Sequence, residues 1–426
     1  MSALTVDSAT FAELAAYYDN VLNADKSTYK SSNDEPTPIR CVSAMIAAIP
    51  AEFWAFPDLA ILDPCCGNGN FHLPILFELL KHHPITDIIG RILEFADINE
   101  GRLNNVRRIF CGDKYSAQIH NCDFLASDTA KKYDLIVANP PYAHILESGK
   151  RAAKNHNPIK LFIQMALRQL KPGGYLLFIS PDNWMSYSDR NTLIGILTSL
   201  QIVHLDIHGA KKHFRKIGSS FTWYLVQNCP AYKPMHVSGI WHKREYSGDV
   251  VSLPPHSRRY IPLLYDQTVH DILAKTVDNA ALPKFAVETS SDLHKYTKAA
   301  FIRVLPDKTY THRLIHTPRQ TVYASRPHKY QSGVKVFIAT TDKYTVFADN
   351  CGMTQSIAFI RCDNDQQAAE YVQILQHPLY VFINNICRWG NFNNVRILQQ
   401  FPRPSGDVYV CFGITPGEIA YIAANL

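Results

Sequence analysis

The chain has 426 residues, of which 46% are hydrophobic and 19% charged, so it is long enough for two domains and too apolar for a disordered protein. No apolar run reaches the ~18 residues of a membrane span, and the N-terminus lacks the basic and apolar regions of a signal peptide. Ten cysteines without a CxxC pair and a net charge of +6 predict a reduced cytoplasmic protein without a metal site, with a mild preference for polyanions.

Residues 1–36 have a helical and then a polar character, and Thr37 is a candidate N-cap for a helix whose first residue is Pro38. From there to residue 229, strand-like and helix-like segments alternate. The pattern predicts strands at 59–64, 90–98, 117–124, 135–138 and 175–181, and helices at 71–83, 99–110, 159–174 and 188–200. This alternation predicts an α/β fold with a mostly parallel sheet that is covered on both faces.

Two further strands, "IVHLDIH" and "SSFTWYLVQ", follow without an intervening helix, so one of them should run antiparallel. After them the alternation ends, and residues 236–426 mix short strands, prolines and polar turns. We therefore predict a first domain at 1–235, with an N-terminal helical segment at 1–50, and a second, mixed α+β domain at 236–426.

A glycine-containing turn follows the first strand, in "ILDPCCGNGNF" at residues 61–71. In an open α/β sheet, ligands bind beyond the carboxyl ends of the strands, where glycines let a ligand approach the backbone. His72 stands where the dinucleotide fingerprint requires a third glycine, which argues against a nicotinamide or flavin site.

Three acidic residues, Asp63, Asp97 and Asp123, end three successive predicted strands. Taken singly, each is equally well explained as a helix cap or a solvated loop residue. Their order along one sheet edge predicts a shared ligand site instead, in which Asp97 binds ribose hydroxyls and Asp123, beside Phe124, accepts from an adenine amino group.

The stretch "YDLIVANPPY" places a rigid turn at the end of a buried strand, because two prolines prevent further ladder pairing. Asn139 offers an amide oxygen and Pro140 a backbone carbonyl, two acceptors that suit one planar –NH₂ group. Such acceptors stabilise the charge that develops as the amine attacks an electrophile, and Tyr142 is placed to stack on the substrate. The turn therefore predicts a site that binds a planar –NH₂ group and activates it as a nucleophile.

The motifs "DPCCGNGNF", "ADINEGRL", "CDFL", "NPPY", "LFIQMALRQLKPGG" and "FISPDNWM" occur in the order and spacing of the amino-methyltransferases. Across residues 36–229, the chain most resembles the γ-class adenine-N6 DNA methyltransferases, the TaqI-like family. The resemblance implies a class I S-adenosylmethionine-dependent methyltransferase fold, with a mostly parallel seven-stranded sheet, and a C-terminal DNA target-recognition domain.

The resemblance also assigns roles by position. It implies S-adenosylmethionine binding by Thr37, Asp63, Gly67, Gly69, Asp97, Asp123 and Phe124. It implies that the target adenine is held by Asn139, Pro140, Tyr142 and Phe214. Glu94 and Glu100 are alternatives to Asp97, because the interval from Asp63 is long. The implied reaction is direct in-line methyl transfer to the N6 amine of an adenine that is rotated out of the duplex.

The same Asn-Pro-Pro-Tyr turn also occurs in enzymes that methylate a glutamine amide in release factors or a guanine amine in ribosomal RNA, so these substrates remain the alternative. Residues 295–335 favour DNA, because they contain nine Lys/Arg and one acid, Asp307, with interleaved tyrosines. Further expected contacts are a basic cluster at 210–216, a polar loop at 144–157, and Asn391, Asn393 and Asn394, which either read bases or merely form a turn.

These features predict double-stranded DNA as the partner of a monomer that acts in the cytoplasm, without membrane association. A cognate restriction endonuclease would act as a separate protein, because no metal-binding nuclease constellation is present in the sequence.

Overall fold

The computed structural model describes residues 4–25, 35–127, 129–142, 158–189, 192–214, 220–251 and 259–426. Its contacts divide the chain into two compact units. The first comprises Met1–Asp182 and Thr192–Ser257, and the second comprises Asn183–Asn191 and Arg258–Leu426. The first unit thus extends beyond the boundary predicted at residue 235, and a short segment after Asp182 belongs to the second unit.

The first unit combines helices with one large sheet. Its helices are α1 (Phe11–Tyr17), α2 (Ile39–Ile46), α3 (His72–Leu79), α4 (Ile85–Asp87), α5 (Glu100–Ile109), α6 (Gly112–Tyr115), α7 (Pro158–Gln169) and α8 (Leu193–Thr198). Its strands are β1 (Ile61–Asp63), β2 (Leu93–Asp97), β3 (Gln118–Asn121), β4 (Tyr133–Ala138), β5 (Leu170–Pro181), β6 (Gln201–Ile207), β7 (Phe221–Gln227), β8 (Met235–Trp241) and β9 (Arg244–Val250).

Within the described residues, these strands form a nine-stranded sheet in the order β3-β2-β1-β4-β5-β7-β6-β8-β9. Strands β1 to β5 pair in parallel, whereas β7 is antiparallel to both β5 and β6. The first seven strands in this order form a mostly parallel sheet with one antiparallel strand, as predicted, and two further strands extend the described sheet beyond the predicted seven.

The remaining two strands explain why the first unit is longer than predicted. Strand β8 pairs in parallel with β6, and β9 pairs antiparallel with β8 as a hairpin. Because β8 takes its backbone partners from β6, the hairpin is part of the first sheet rather than the start of a new domain.

Strand β4 carries the chain to the predicted turn. Five of its six residues are buried, which is the pattern of a central strand with both faces covered. The apolar core that surrounds this sheet includes Leu135 and Val137 of β4 together with Phe95 and Leu103, all fully buried. This packing gives the strand end, and therefore the turn, a rigid support.

The second unit contains two smaller sheets with helices, as expected for a mixed α+β domain. The strands are β10 (Glu288–Thr289), β11 (Ile302–Arg303), β12 (His312–Thr317), β13 (Gln320–Ala324), β14 (Lys335–Ala339), β15 (Val346–Asp349), β16 (Gly352–Met353) and β17 (Ile357–Arg361). The helices are α9 (Gln267–Lys275), α10 (Asp365–Leu375), α11 (Pro378–Ile386), α12 (Val395–Leu398), α13 (Val408–Cys411) and α14 (Pro416–Ala424).

In the part of the chain that the structure describes, the sheet orders of this unit are β10-β17-β14-β15 and β11-β13-β12-β16. Strand β14 is the centre of the first of these sheets, and all five of its residues are buried. Across the described ranges, no helix of either unit is both long and apolar enough to cross a membrane.

Candidate functional site

The carboxyl ends of β1, β2 and β4 lie side by side at one edge of the large sheet. Strand β1 ends at Asp63, β2 at Asp97, and β4 at Ala138, directly before Asn139. Because β1 lies between β2 and β4 and pairs with both in parallel, this edge collects the two carboxylates and the amide in one place.

The glycine loop after β1 is fixed by two hydrogen bonds. The Gly67 backbone N–H donates to Oδ2 of Asp97 at 2.8 Å, and the Tyr18 hydroxyl donates to the Asn68 carbonyl at 2.7 Å. Gly67 and Gly69 have φ angles of +55° and +86°, which non-glycine residues rarely adopt. A Cβ on Gly69 would lie 2.8 Å from the Phe110 ring, so this position also requires a hydrogen for steric reasons.

Of Asp97 and its two alternatives, Glu94 and Glu100, it is Asp97 that contacts the glycine loop. Its Oδ1 accepts from the Asn99 N–H at 2.8 Å, and its Oδ2 accepts from Gly67. Glu94 accepts from Tyr133 at 2.9 Å, and Glu100 pairs with Arg107 on α5. The carboxylate at the end of β2 is therefore the one held against the loop.

An open pocket of about 390 Å³ lies in front of this loop. It is lined by Glu35, Pro36, Thr37, Asp63, Cys65, Cys66, Gly67, Asn68, Asn70, Phe71, Arg102 and Asn139. The structure thus brings together three predicted cofactor residues and the predicted catalytic amide.

Burial raises the pKa of Asp63 well above its usual range, and the neighbouring charge of Asp97 raises it further. Both carboxyl groups are almost fully buried, and no atom would lie within 4 Å of a Cβ added to Gly67. The Asp63 carboxyl group in the pocket wall and the open space at Gly67 suit a ligand that carries a positive charge and hydrogen-bond donors. The lining residues therefore fit S-adenosylmethionine.

Asn139 is held in one orientation by partners from the segment before α2. Its Nδ2 donates to the Glu35 carbonyl at 3.0 Å and to the Thr37 hydroxyl at 2.9 Å. Its Oδ1 faces the other way and accepts from the Tyr142 hydroxyl. The side chain thus presents its oxygen, the acceptor expected from the sequence, on the side of Tyr142.

The predicted N-cap role of Thr37 is wrong. Helix α2 begins at Ile39 with Pro38 as its N-cap, and this cap makes no side-chain hydrogen bond. The Thr37 hydroxyl instead accepts from Asn139, and its carbonyl accepts from Nδ2 of Asn70 at 2.8 Å. Its side chain therefore bonds the Asn-Pro-Pro-Tyr turn.

A row of three aromatic rings begins at Tyr142, beside the amide. The Tyr142 ring lies 5.5 Å from that of Phe221, and Phe221 lies 4.8 Å from Phe214, centroid to centroid. Phe214 and Phe221 are both buried. Burial also raises the pKa of Tyr142 well above its usual value, so its hydroxyl stays protonated and donates at physiological pH. Phe221, which begins β7, was not predicted as a site residue because its sequence pattern is that of an ordinary core strand.

Asp123 and Phe124 are not among the residues that line the pocket. Asp123 caps a short 3₁₀ turn by accepting from the Leu125 N–H at 2.9 Å, and its side chain is exposed. Phe124 is buried, and its ring lies 5.5 Å from that of Phe162 on α7. In this structure, both residues have local structural contacts, and their cofactor role stays a prediction.

Several pocket residues were missed. Asn68 and Asn70 stand inside the quoted glycine motif, so the motif itself was the available signal. Arg102 is buried near the start of α5, where the sequence resembles an ordinary amphipathic helix. Glu35 gave no signal, because its contribution to Asn139 is a backbone carbonyl.

The basic stretch at 295–335 divides into internally bonded and exposed cations. Arg313 pairs with Asp349 and Arg326 with Asp292, while Lys335 is buried and donates to the Ser332 carbonyl at 3.0 Å. Lys295 donates to Gln320 at 3.1 Å. The exposed members are Lys298, Arg303, Lys308, Arg319 and Lys329.

Two of the three asparagines considered for base reading have structural roles. Asn393 is buried and donates to the Ala339 carbonyl at 2.8 Å, while its oxygen accepts from Asn384. Asn394 caps α12 and donates to the Ser186 hydroxyl at 3.1 Å. Both side chains thus have structural partners, Asn391 is exposed, and base reading stays a prediction. The predicted loop at 144–157 and residues 215–216 of the basic cluster lie outside the described residues.

Part of the first unit is similar in sequence to known methylases. The profile of the family described as Eco57I restriction-modification methylase matches residues 88–214. The Type II methyltransferase M.VspI of Vibrio sp. (strain 343) is 28% identical over 161 residues, which are 35% of this chain and 37% of the relative. The Type II methyltransferase M.TthHB8I of Thermus thermophilus is 25% identical over 159 residues, 30% of this chain and 36% of the relative.

The matched region is similar to restriction-modification DNA methyltransferases. It contains Asp97, Asp123 and the Asn-Pro-Pro-Tyr turn. The resemblance to DNA methyltransferases that was predicted from the sequence is therefore confirmed. S-adenosylmethionine is the cofactor of this fold and family. The aligned segments span little more than a third of either curated relative, 37% and 36%.

Two solved structures share the fold of this chain over most of its length. The DrdV–DNA complex aligns with 97% of this chain and 59% of that chain, at 12% identity and a TM-score of 0.54. A nuclease-deletion mutant of the Type ISP restriction-modification enzyme LlaGI, in complex with a DNA substrate mimic, aligns with 92% of this chain and 54% of that chain, at 11% identity and a TM-score of 0.55. At this identity the likeness concerns the fold.

Proposed function

We propose that this protein is a sequence-specific DNA adenine-N6 methyltransferase. The observation that carries the proposal is that Asn139 lines the same pocket as Asp63 and Gly67. An amine held by the Asn139 oxygen would therefore lie beside the cofactor site, which is the proximity that direct transfer between two bound groups requires.

When bound, S-adenosylmethionine supplies an electrophilic methyl group on a sulfonium centre. The Asn139 oxygen and the Pro140 carbonyl accept from the two hydrogens of the substrate amine and stabilise the positive charge that grows on its nitrogen. A preorganised group of this kind commonly contributes ~3–4 kcal/mol to transition-state stabilisation. Since Asn139 is held by two hydrogen bonds before substrate arrives, little reorganisation is needed.

The aromatic rings favour a nucleobase, rather than an aliphatic amide, as the substrate group that carries the amine. Tyr142 bonds the amide oxygen and contacts Phe221, which in turn contacts Phe214, and this row of rings would provide a flat surface for a flipped base. The Tyr142 hydroxyl bonds the Asn139 oxygen in the free protein, and an entering amine replaces it there.

The second unit supplies a surface suited to DNA phosphates. Lys298, Arg303 and Lys308 are exposed, and they lie close in sequence to Tyr296, which is 72% exposed. Exposed cations with an aromatic side chain are typical of nucleic-acid contacts. We therefore assign target recognition to this unit and duplex DNA as the partner.

The test is incubation of the purified protein with tritiated S-adenosylmethionine and genomic DNA from a methylation-deficient bacterial strain. We expect N6-methyladenine after digestion to nucleosides and mass spectrometry, and single-molecule sequencing of the product should show one motif. Parallel reactions contain ribosomal RNA and purified release factors. Transfer to either of these with inert DNA would refute the proposal and support the alternative substrate class; N4-methylcytosine in DNA would refute the assignment to adenine.

A further inference from the structure

The orientation of the Asn139 amide is a chemical requirement of the proposed function. Its oxygen and nitrogen have nearly the same size, so packing alone does not distinguish the productive orientation from one rotated by 180°. In the rotated form the –NH₂ group would face the substrate amine, and two donors would oppose each other. The hydrogen-bond partners of the amide must therefore select the orientation.

The Glu35 carbonyl makes that selection and the Thr37 hydroxyl, which can donate or accept, holds the amide in the selected orientation; both belong to the segment before α2. The Glu35 carbonyl can only accept, and it receives one Nδ2 hydrogen at 3.0 Å. The Thr37 hydroxyl oxygen receives the other at 2.9 Å. These partners lie 104 and 102 residues from Asn139 in the sequence. With the nitrogen bound on this side, the oxygen must face Tyr142.

The Thr37 segment is in turn attached to the glycine loop. The Asn70 side chain donates from Nδ2 to the Thr37 carbonyl at 2.8 Å and to Oδ1 of Asn23 at 3.1 Å. Thr37 is also buried, so its hydroxyl has few competing water contacts. A continuous set of hydrogen bonds therefore joins the loop beside the cofactor pocket to the catalytic amide.

We infer that Thr37 is a positioning residue for Asn139, holding the amide oxygen toward the substrate amine. This inference rests on the proposed function and adds a role to the cofactor contact that the sequence resemblance implies for Thr37. The two roles make different predictions: loss of a cofactor contact weakens S-adenosylmethionine binding, whereas loss of amide positioning slows transfer at saturating cofactor.

The test compares Thr37→Val, which replaces the hydroxyl by a methyl of similar size, with Thr37→Ser, which keeps it. We expect Thr37→Val to lower the single-turnover transfer rate to DNA about tenfold, the value of one hydrogen bond. The dissociation constant for S-adenosylmethionine, measured by calorimetry, should stay within twofold of wild type. Thr37→Ser should restore the rate to within threefold of wild type, which a loss of packing alone would not predict.

A second readout does not depend on activity. In protein labelled with ¹⁵N-asparagine, the side-chain –NH₂ signal of Asn139 is identified by its absence in Asn139→Ala. We expect this signal to shift and its hydrogen exchange to accelerate in Thr37→Val and to return toward wild type in Thr37→Ser.

An unchanged Asn139 signal in Thr37→Val, or a transfer rate near wild type, would overturn the positioning role. A rate that recovers at saturating S-adenosylmethionine would overturn it as well and leave Thr37 as a cofactor contact. Absence of methyl transfer by the wild-type protein to DNA would instead refute the proposed function, while the spectroscopic comparison would still decide the positioning.

Discussion

Replacing Asn139 by alanine tests the centre of the proposed chemistry. The substitution removes the acceptor oxygen that faces Tyr142 and the donor that holds Glu35 and Thr37. The pocket residues at Asp63 and Gly67 keep their own hydrogen bonds, because these run to Cys65 and Asp97. We therefore expect methyl transfer to fail while cofactor binding persists.

The two losses have different magnitudes. Removing one preorganised acceptor costs ~3–4 kcal/mol of transition-state stabilisation, which corresponds to a rate lower by roughly 10²–10³-fold. Removing the two hydrogen bonds of Nδ2 costs about 1 kcal/mol each in the free energy of unfolding. Since a domain commonly has ~5–15 kcal/mol of stability, the variant should remain folded.

The assay is single-turnover transfer of tritiated methyl groups to unmethylated genomic DNA, with calorimetric titration of S-adenosylmethionine and urea unfolding on the same samples. Asn104→Ala on α5 is the matched control, because this exposed asparagine is distant in sequence from the turn and its side chain bonds Arg107. The control should transfer at the wild-type rate. A rate for Asn139→Ala within threefold of wild type would refute the catalytic assignment.

Three further outcomes follow from the structure. Gly69→Ala should lower the free energy of unfolding by about 3 kcal/mol, because the added Cβ meets both a left-handed backbone conformation and the Phe110 ring. The control Gly173→Ala, at φ +76° with open space around it, should lower it by only about 1 kcal/mol. Equal losses in the two variants would contradict the steric explanation. Burial lowers the pKa of His72 from 6.5 to about 3, so its contribution to stability is present above pH 6.5 and is lost as the pH falls toward 3. Between pH 7 and 5 this loss is about 2 kcal/mol in urea unfolding, and His72→Leu should abolish it; the same pH dependence in the variant would refute the assignment. Replacing three exposed cations of the second unit by alanine should lower the slope of log affinity for DNA against log salt concentration by up to about 2.7. The control Lys81→Ala, in the first unit, should leave this slope unchanged. An unchanged slope in the triple variant would place the DNA-binding surface elsewhere. The three are Lys298, Arg303 and Lys308.

Much of the fold could be predicted because its signals are local. The buried run from Leu135 to Ala138 and the two prolines after it define a central strand and a turn within ten residues. The glycine motif likewise predicts a turn, and the observed positive φ angles at Gly67 and Gly69 confirm why glycine is needed there.

The domain boundary could not be predicted in the same way. The β8–β9 hairpin resembles the mixed strands of the second half, and its membership of the first sheet depends on pairing with β6. Pairing is a property of two distant segments, and a local pattern shows only that each is a strand.

The sequence by itself determined which groups are available at the site: two carboxylates, a glycine loop, an amide and a tyrosine, each at the end of a recognisable segment. Only the tertiary structure decided how they are used. It turns the Asn139 oxygen toward Tyr142 through Glu35 and Thr37, buries Lys335 and Asn393, and leaves Asp123 on the surface. The physical reason is that a side chain's type is a local fact, whereas its orientation and charge environment are set by partners a hundred residues away.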